Sequence, residues 1–279
     1  MPPIAFAIGI LSDNGAMSSP DNVPAATLPS GARMPLIGFG TWKLRGHEAR
    51  TAVLAALKTG YRHLDTATMY GNEAEVGHAL HDSGLSRDQV FVTTKIRPAD
   101  AGRARSVLNA SLRALDTEYL DLWLVHWPPW RAGQSRRLWK DMIALRDEGL
   151  IRDIGVSNYK FAEIDDLAKA TGQTPAVNQI HWNPARYDAA TLAGHADRGI
   201  AVEGYSPLKD TPLSDPVLSG IAKAHGVTPA QVVLRWHLEH DITVIPKSSQ
   251  PDRIAANLDL LGFSLTKDEV ARIDGLAGH

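Results

Sequence analysis

From Leu36 onward, short apolar runs rich in β-branched residues alternate with amphipathic stretches of helical length, the pattern of repeated βα units in a parallel sheet. The spacing predicts a helix from Glu48 to Thr59 with Ala52, Ala55, Ala56 and Leu57 inward, stopped by Gly60 and followed by a strand from Arg62 to Asp65. A second helix takes Asn72 as its N-cap, turns Val76, Ala79 and Leu80 inward and stops at Gly84, ahead of a strand from Val90 to Thr94. The alternation continues with helix Arg103 to Leu115 and strand Leu120 to His126, then helix Gln134 to Glu148 and strand Ile151 to Ser157. Helix Phe161 to Thr171 leads to strand Ala176 to Ile180, and helix Ala189 to Ala196 to strand Ala201 to Tyr205. Helices near Pro216 to Ala224 and Pro229 to His240 lead to a last strand, Ile242 to Ile245, and a closing helix from Arg253.

With Ile37 to Thr41 as the first strand the count reaches eight, the number at which a parallel sheet closes on itself. The expected fold is therefore α/β, a (β/α)8 TIM barrel. An open doubly wound sheet is disfavoured, because no strand leads into a Gly-x-Gly-x-x-Gly turn and the alternation does not break into two halves. Thr27 to Met34, centred on Ser30-Gly31, is expected to form a β-hairpin that closes the bottom of the barrel.

Composition narrows the ligands. At 279 residues, 44% hydrophobic and 22% charged, the chain is long enough for one large domain with a substantial core. A net charge of −2 offers no field that would draw nucleic acid or an anionic membrane, so the expected partner is a small molecule and the expected state a monomer. Without cysteine there are no disulfides and no thiolate chemistry, which suits a cytoplasmic protein. The apolar start, Pro2 to Leu11, lacks the positive n-region of a signal peptide, since no Lys or Arg precedes Arg33, and no segment is long and apolar enough to span a membrane. Residues 1–25 are expected to be a mobile leader, with Met17 an alternative start, and residues 26–279 one barrel domain.

In a parallel barrel, functional groups gather at the C-terminal ends of the strands, so polar residues that close apolar strands carry most weight. Asp65 closes Tyr61–Asp65, Tyr70 follows in the next loop, Lys95 closes Val90–Lys95 and His126 closes Leu122–His126. A phenol with a reference pKa of about 10 is a poor acid at neutral pH, but a neighbouring ammonium stabilises the phenolate. Lys95 fits that part, and Asp65 is the charge partner that keeps a buried lysine protonated. His126 would hydrogen-bond a carbonyl oxygen and aim it at a hydride source. Taken singly, Asp65 reads equally well as a structural ion-pair member, Lys95 as a surface cation and Tyr70 as a packing residue; their co-occurrence points to catalysis. No histidine spacing builds a metal site.

Gly60-Tyr61-Arg62-His63-Leu64-Asp65-Thr66-Ala67, followed by Met69-Tyr70-Gly71-Asn72-Glu73 and Val76-Gly77, resembles the first signature of the aldo-keto reductases. Asp121 to Pro128, Gly155-Val156-Ser157-Asn158, Val177-Asn178-Gln179 and Ile245-Pro246-Lys247-Ser248 resemble that family in its own order, from Leu28 to the C-terminus, with the bacterial diketogluconate reductase branch most alike. The resemblance implies NADPH-dependent reduction of aldehydes and ketones, with Tyr70 as general acid, Lys95 and Asp65 as its tuning pair and His126 as the orienting group. It implies that Ser157, Asn158 and Gln179 hold the nicotinamide carboxamide while Tyr205 stacks on the ring. Gly40, Thr41 and Trp42 would line the same groove together with Asp65, Ser206 and Leu208. Lys247, Ser248, Ser249, Arg253 and Asn257 resemble the segment that grips the adenosine end, where two cations and hydroxyls suit a dianionic 2′-phosphate. Ala256 stands where many relatives are acidic, and Asn183 where a histidine is common. Trp42 and Trp127, beside Tyr70 and His126, are the expected substrate walls, with Trp130, Arg131 and Gln134 at the edge of a cleft left open by the short Leu208 to Pro216 loop.

Two other functions fit parts of this pattern. Lys95 as a Schiff-base nucleophile would make the barrel a lyase, but a lysine paired with Asp65 is protonated and a poor nucleophile. A non-catalytic NADPH-sensing subunit would need no intact set of four polar groups.

Overall fold

The computed structural model describes residues 23–129 and 132–278, so Trp130, Arg131 and the leader up to residue 22 lie outside the described residues. An antiparallel hairpin, β1 (Ala25–Thr27) and β2 (Arg33–Pro35), comes first, then β3 (Phe39–Gly40), α1 (Gly46–Thr59), β4 (His63–Asp65), α2 (Glu73–Asp82), β5 (Phe91–Ile96), α3 (Ala104–Ala114) and β6 (Leu120–Val125). There follow α4 (Ala132–Asp147), β7 (Ile151–Ser157), α5 (Phe161–Thr171), β8 (Val177–His181), α6 (Ala189–Ala196) and β9 (Ala201–Tyr205). The chain ends with α7 (Pro216–His225), α8 (Pro229–Glu239), β10 (Thr243–Val244), α9 (Pro251–Leu258) and α10 (Lys267–Asp274).

Each strand from β3 to β10 pairs in parallel with the next in chain order. The ring closes where Ile37 bridges Val244: Gly38 N–H donates to Val244 O at 2.9 Å and Val244 N–H to Leu36 O at 2.8 Å. This closure leaves no open sheet edge and makes the sheet a (β/α)8 barrel. A side chain at Gly40 would meet the Ile245 carbonyl oxygen at 2.8 Å, so glycine is what allows β3 to sit this close to β10.

Alternation along the strands separates two environments. Val92, Ile96, Trp123, Val125, Ile154 and Val156 face outward into the core shared with the helices, whereas Phe91, Leu122, Leu124 and Val177 join Leu28 and Met34 of the hairpin at the barrel's N-terminal end. The hairpin thus plugs the bottom, as its sequence predicts. Its turn is held by Gly31 at φ +87°, a conformation natural to glycine. A latch adds to the packing: buried Asp153 on β7 accepts from the Ser30 hydroxyl and from Ser30 N–H at 3.2 Å.

Three local expectations change. The inward face of α1 consists of Ala49, Ala52, Val53, Ala56 and Leu57, an i, i+3, i+4, i+7 stripe that leaves Ala55 only partly buried. Asn72 occupies the N-cap position of α2 but makes no side-chain cap bond. It is fully buried and turned away, accepting from Thr66 Oγ at 2.7 Å and donating to the carbonyls of Thr41 at 3.0 Å and Leu44 at 3.1 Å, which would otherwise be orphaned. The closing helix is two helices, and the second carries a capping box between Thr266 and Glu269 that the sequence displays. Among the described residues no helix is long and apolar enough to cross a membrane.

Candidate active site

Period-2 alternation along β4 turns His63 and Asp65 into the barrel, and along β5 it does the same for Thr93 and Lys95. Lys95 is fully buried. Its ammonium donates to Asp65 Oδ1 and Oδ2, each at 2.7 Å, to Thr66 O at 2.9 Å and to Tyr70 Oη at 3.4 Å. Burial pulls this ammonium down, but the adjacent Asp65 charge and then Tyr70 outweigh it, and the group ends above the ordinary lysine value. Lys95 therefore remains a cation with its protons committed to oxygen acceptors, which leaves no free lone pair for a Schiff base.

Tyr70 sits in the single turn after β4, its N–H bonded to Ala67 O at 2.9 Å and its carbonyl accepting from the Arg45 guanidinium. The hydroxyl of Thr68 donates to Lys95 O at 2.9 Å, and Asn72 ties the same turn to the loop after β3. Burial raises the phenol above its usual value; Lys95 opposes the rise without cancelling it, and Asp65 adds to it. The lysine thus offsets the cost of burying a phenolate and does not produce an unusually acidic tyrosine.

His126, buried at the end of β6, stands edge-on to Tyr70 with ring centroids 5.6 Å apart. Burial and then the Lys95 charge hold its imidazole down to about 3, so the ring is neutral at physiological pH, one nitrogen a donor and the other an acceptor. Its Nδ1 has no partner among the described residues.

Across the barrel, Gln179 on β8 donates from Nε2 to Asp65 Oδ2 at 2.8 Å and to Glu203 Oε2 at 2.9 Å. Since β4 and β8 are not neighbours in the sheet, this bond spans the interior. The hydroxyl of Ser157 donates to Gln179 O at 2.9 Å, Asn158 Nδ2 to Ser157 Oγ at 2.9 Å, and Tyr205 Oη to Asn158 Oδ1 at 2.9 Å. Asn158 and Ser206 both hold a positive φ, at 61° and 55°, where a strand end turns sharply. His181 lies parallel to the Tyr205 ring with centroids 5.3 Å apart, a contact the sequence reading did not anticipate.

Other expected groove residues make contacts within the barrel wall. Thr41 is buried with its hydroxyl on Asp65 O at 2.9 Å, Gly40 sits in the barrel seam, and Leu208 is half-buried against the core. Trp42 and Trp127, by contrast, stand 51% and 45% exposed, Trp127 stacked on His126 at 6.5 Å, and Met69 beside Tyr70 is 52% exposed. The segment after β10 lies apart from the buried tetrad. There Lys247 and Arg253 are exposed and without an ion-pair partner among the described residues. Asn257 is buried, and Ser248 Oγ accepts from Gln250 N–H at 3.0 Å. The residue missed altogether is Glu203, a fully buried carboxyl on β9 that joins Gln179 and faces His63. Its signal was a single charge inside the apolar strand Ala201-Val202-Glu203-Gly204-Tyr205.

Comparisons with known proteins agree with this fold. The Aldo/keto reductase family model covers residues 36–277. The 2,5-diketo-D-gluconic acid reductase B of Corynebacterium sp. is 44% identical, over 91% of this chain and 94% of that protein. A crystal structure of an aldo/keto reductase from Brucella melitensis is 40% identical and covers 91% of this chain and 100% of its own, with a TM-score of 0.89. A crystal structure of a Gox0644 mutant in complex with NADPH is 38% identical, over 91% of this chain and 93% of that one, with a TM-score of 0.86. By family match, identity and fold together, the chain belongs to the aldo/keto reductase family.

Proposed function

We propose that this protein reduces aldehydes and ketones to alcohols with NADPH, Tyr70 giving the proton. The observation that carries the reading is the chain Asp65–Lys95–Tyr70, bonded at 2.7 Å and 3.4 Å, beside a neutral His126. NADPH, when bound, supplies a hydride to the carbonyl carbon. The residues present suit it. Gln179 has both N–H groups committed to carboxyl oxygens of Asp65 and Glu203, so its Oε1 is left to accept from a carboxamide. Tyr205 offers a ring held in place through Asn158, and Lys247, just ahead of α9, and Arg253, in its first turn, are two cations without an ion-pair partner among the described residues, near backbone N–H groups that also attract an anion.

His126 orients the substrate oxygen by donating one ring N–H to it, and Tyr70 Oη transfers its proton to that oxygen. The phenolate left behind is stabilised by Lys95, whose charge Asp65 secures. The Ser157 hydroxyl holds the Gln179 backbone carbonyl, and Asn158 links Ser157 to the Tyr205 hydroxyl, so both steady the ring and the strand that carries the Gln179 amide. Trp42 and Trp127 give the mouth two apolar walls, which favours carbonyl compounds carrying an apolar or aromatic group. Replacing Tyr70 with phenylalanine should reduce kcat at least about 100-fold with a generic aldehyde, while NADPH still quenches tryptophan fluorescence with near wild-type affinity. Equal loss of binding and turnover would remove the acid role.

A further inference from the structure

The barrel interior beneath the reacting groups is polar, and Glu203 stands at its centre. Its Oε2 accepts from Gln179 at 2.9 Å, and its Oε1 lies 3.6 Å from His63 Nε2 with no hydrogen-bond partner among the described residues. On β10, Thr243 is in register with Glu203, is fully buried and has an equally unpartnered hydroxyl. The facing groups are therefore His63 and Asp65 from β4, Lys95 and Thr93 from β5, Gln179 from β8 and Thr243 from β10.

Charge counting decides the state of this cluster. Lys95 and Asp65 neutralise one another, so a second ionised carboxylate would leave a net negative charge in a dry barrel. His63 does not compensate. Its Nδ1 is 3.3 Å from Pro35 O, a carbonyl that can only accept, which places the ring proton on Nδ1 and makes Nε2 an acceptor, bonded by Thr93 Oγ at 3.1 Å and facing Glu203 Oε1 at 3.6 Å. Burial and then the Asp65 charge push the Glu203 carboxyl up to about 8, while burial holds His63 down to about 4. Glu203 and His63 thus meet as neutral partners and not as an ion pair, with the carboxyl proton on Oε1.

We propose that Glu203 is a positioning residue for the reaction: as a neutral acid behind Gln179, it fixes the Gln179 amide with Nε2 inward and Oε1 free to accept from the cofactor. This rests on the reading of the chain as an NADPH-dependent reductase. With both amide protons held by carboxyl oxygens, the amide cannot flip without setting its carbonyl oxygen against two acceptors. Glu203 also keeps Asp65 free of a competing negative charge, and so keeps Lys95 paired with Asp65 alone.

The test compares Glu203→Gln and Glu203→Leu in the full chain. A glutamine at 203 reproduces the neutral acid, with an oxygen for Gln179 and N–H groups for His63. Its NADPH affinity, read by tryptophan fluorescence, should stay within about 3-fold of wild type at pH 6.5. Wild type should lose affinity as the pH rises past about 8 and Glu203 ionises, and this variant should not. Leucine should weaken NADPH at least about 10-fold, with kcat at saturating cofactor changed much less. The cofactor-free protein provides an independent reading. A carboxyl raised on folding stabilises below its unfolded value and loses that contribution as the pH climbs to its folded value. From pH 5 to 8 the wild-type Tm should therefore decline relative to that of Glu203→Gln, both proteins sharing the slope that the other groups impose. Identical pH profiles for wild type and Glu203→Gln overturn the proposal, as does a Leu variant whose affinity, kcat and Tm all fall together. Failure of wild type to bind NADPH at all would instead overturn the reductase reading on which the proposal stands.

Discussion

At the residue scale, the site is a set of charges and protons balanced by burial. Lys95 would lose its proton if Asp65 were absent, and Tyr70 would hold its proton too tightly if Lys95 were absent. The adenosine end is different, because it rests on exposed cations and hydroxyls and not on a buried network. Arg253, three residues into α9 and without an ion-pair partner among the described residues, opposes the helix dipole unless an anion lies between. Arg253→Ala should weaken NADPH by about 10- to 100-fold, the scale of one charge-assisted bond, and leave NADH nearly unchanged. Equilibrium titration of both cofactors measures this, and an unaltered NADPH to NADH ratio would withdraw the phosphate assignment.

At the scale of elements, close approach matters as much as apolar pattern. A Cβ at Gly77 of α2 would lie 2.6 Å from Ala114 O and 2.7 Å from Leu115 C, both backbone atoms of the α3 end. Gly77→Ala should therefore cost about 1–3 kcal/mol and lower the thermal midpoint by several degrees. Gly133 of α4 meets nothing within 4 Å. There the same change should be neutral or stabilising by up to about 1 kcal/mol, as alanine favours helix. Differential scanning calorimetry of the two variants separates packing from propensity, and equal midpoints would show that α2 and α3 are not held this close in solution. Asn72 makes a related point. Its type suits an N-cap, yet the orphan carbonyls of Thr41 and Leu44 claim it, and so it staples the turn of Tyr70 to the loop of Trp42.

For the whole molecule, folding buries four histidines among the described residues, His63, His126, His195 and His237, and burial lowers each of them. Burial holds His63 down to about 4, His126 to about 3 and His237 to about 4. Because these folded values lie below the unfolded one, the unfolded chain binds more protons, and the stability present above about pH 6.5 is lost as the pH falls toward 4. Each group contributes a slope of up to about 1.4 kcal/mol per pH unit in that window. Thermal unfolding from pH 6.5 to 4.5 should show a falling Tm, because these rings together outweigh the opposite slope of the raised Glu203 carboxyl; a flat profile would mean that at least two of these rings already carry charge in the folded state.

The order of elements, the hairpin plug and the tetrad Asp65, Tyr70, Lys95 and His126 could be read from the chain, because hydrophobic period, strand-end polarity and ordered motifs are local signals. What sequence did not reveal is which polar groups meet across the interior. Glu203 looked like one charge in a short strand until closure of eight strands set Gln179 of β8 between it and Asp65 of β4, and Asn72 looked like a cap until the loops after β3 and β4 packed together. Local composition sets a side chain's chemistry, but its protonation and its partner depend on solvent exclusion and on strands far apart in the chain, which exist only once the barrel has closed.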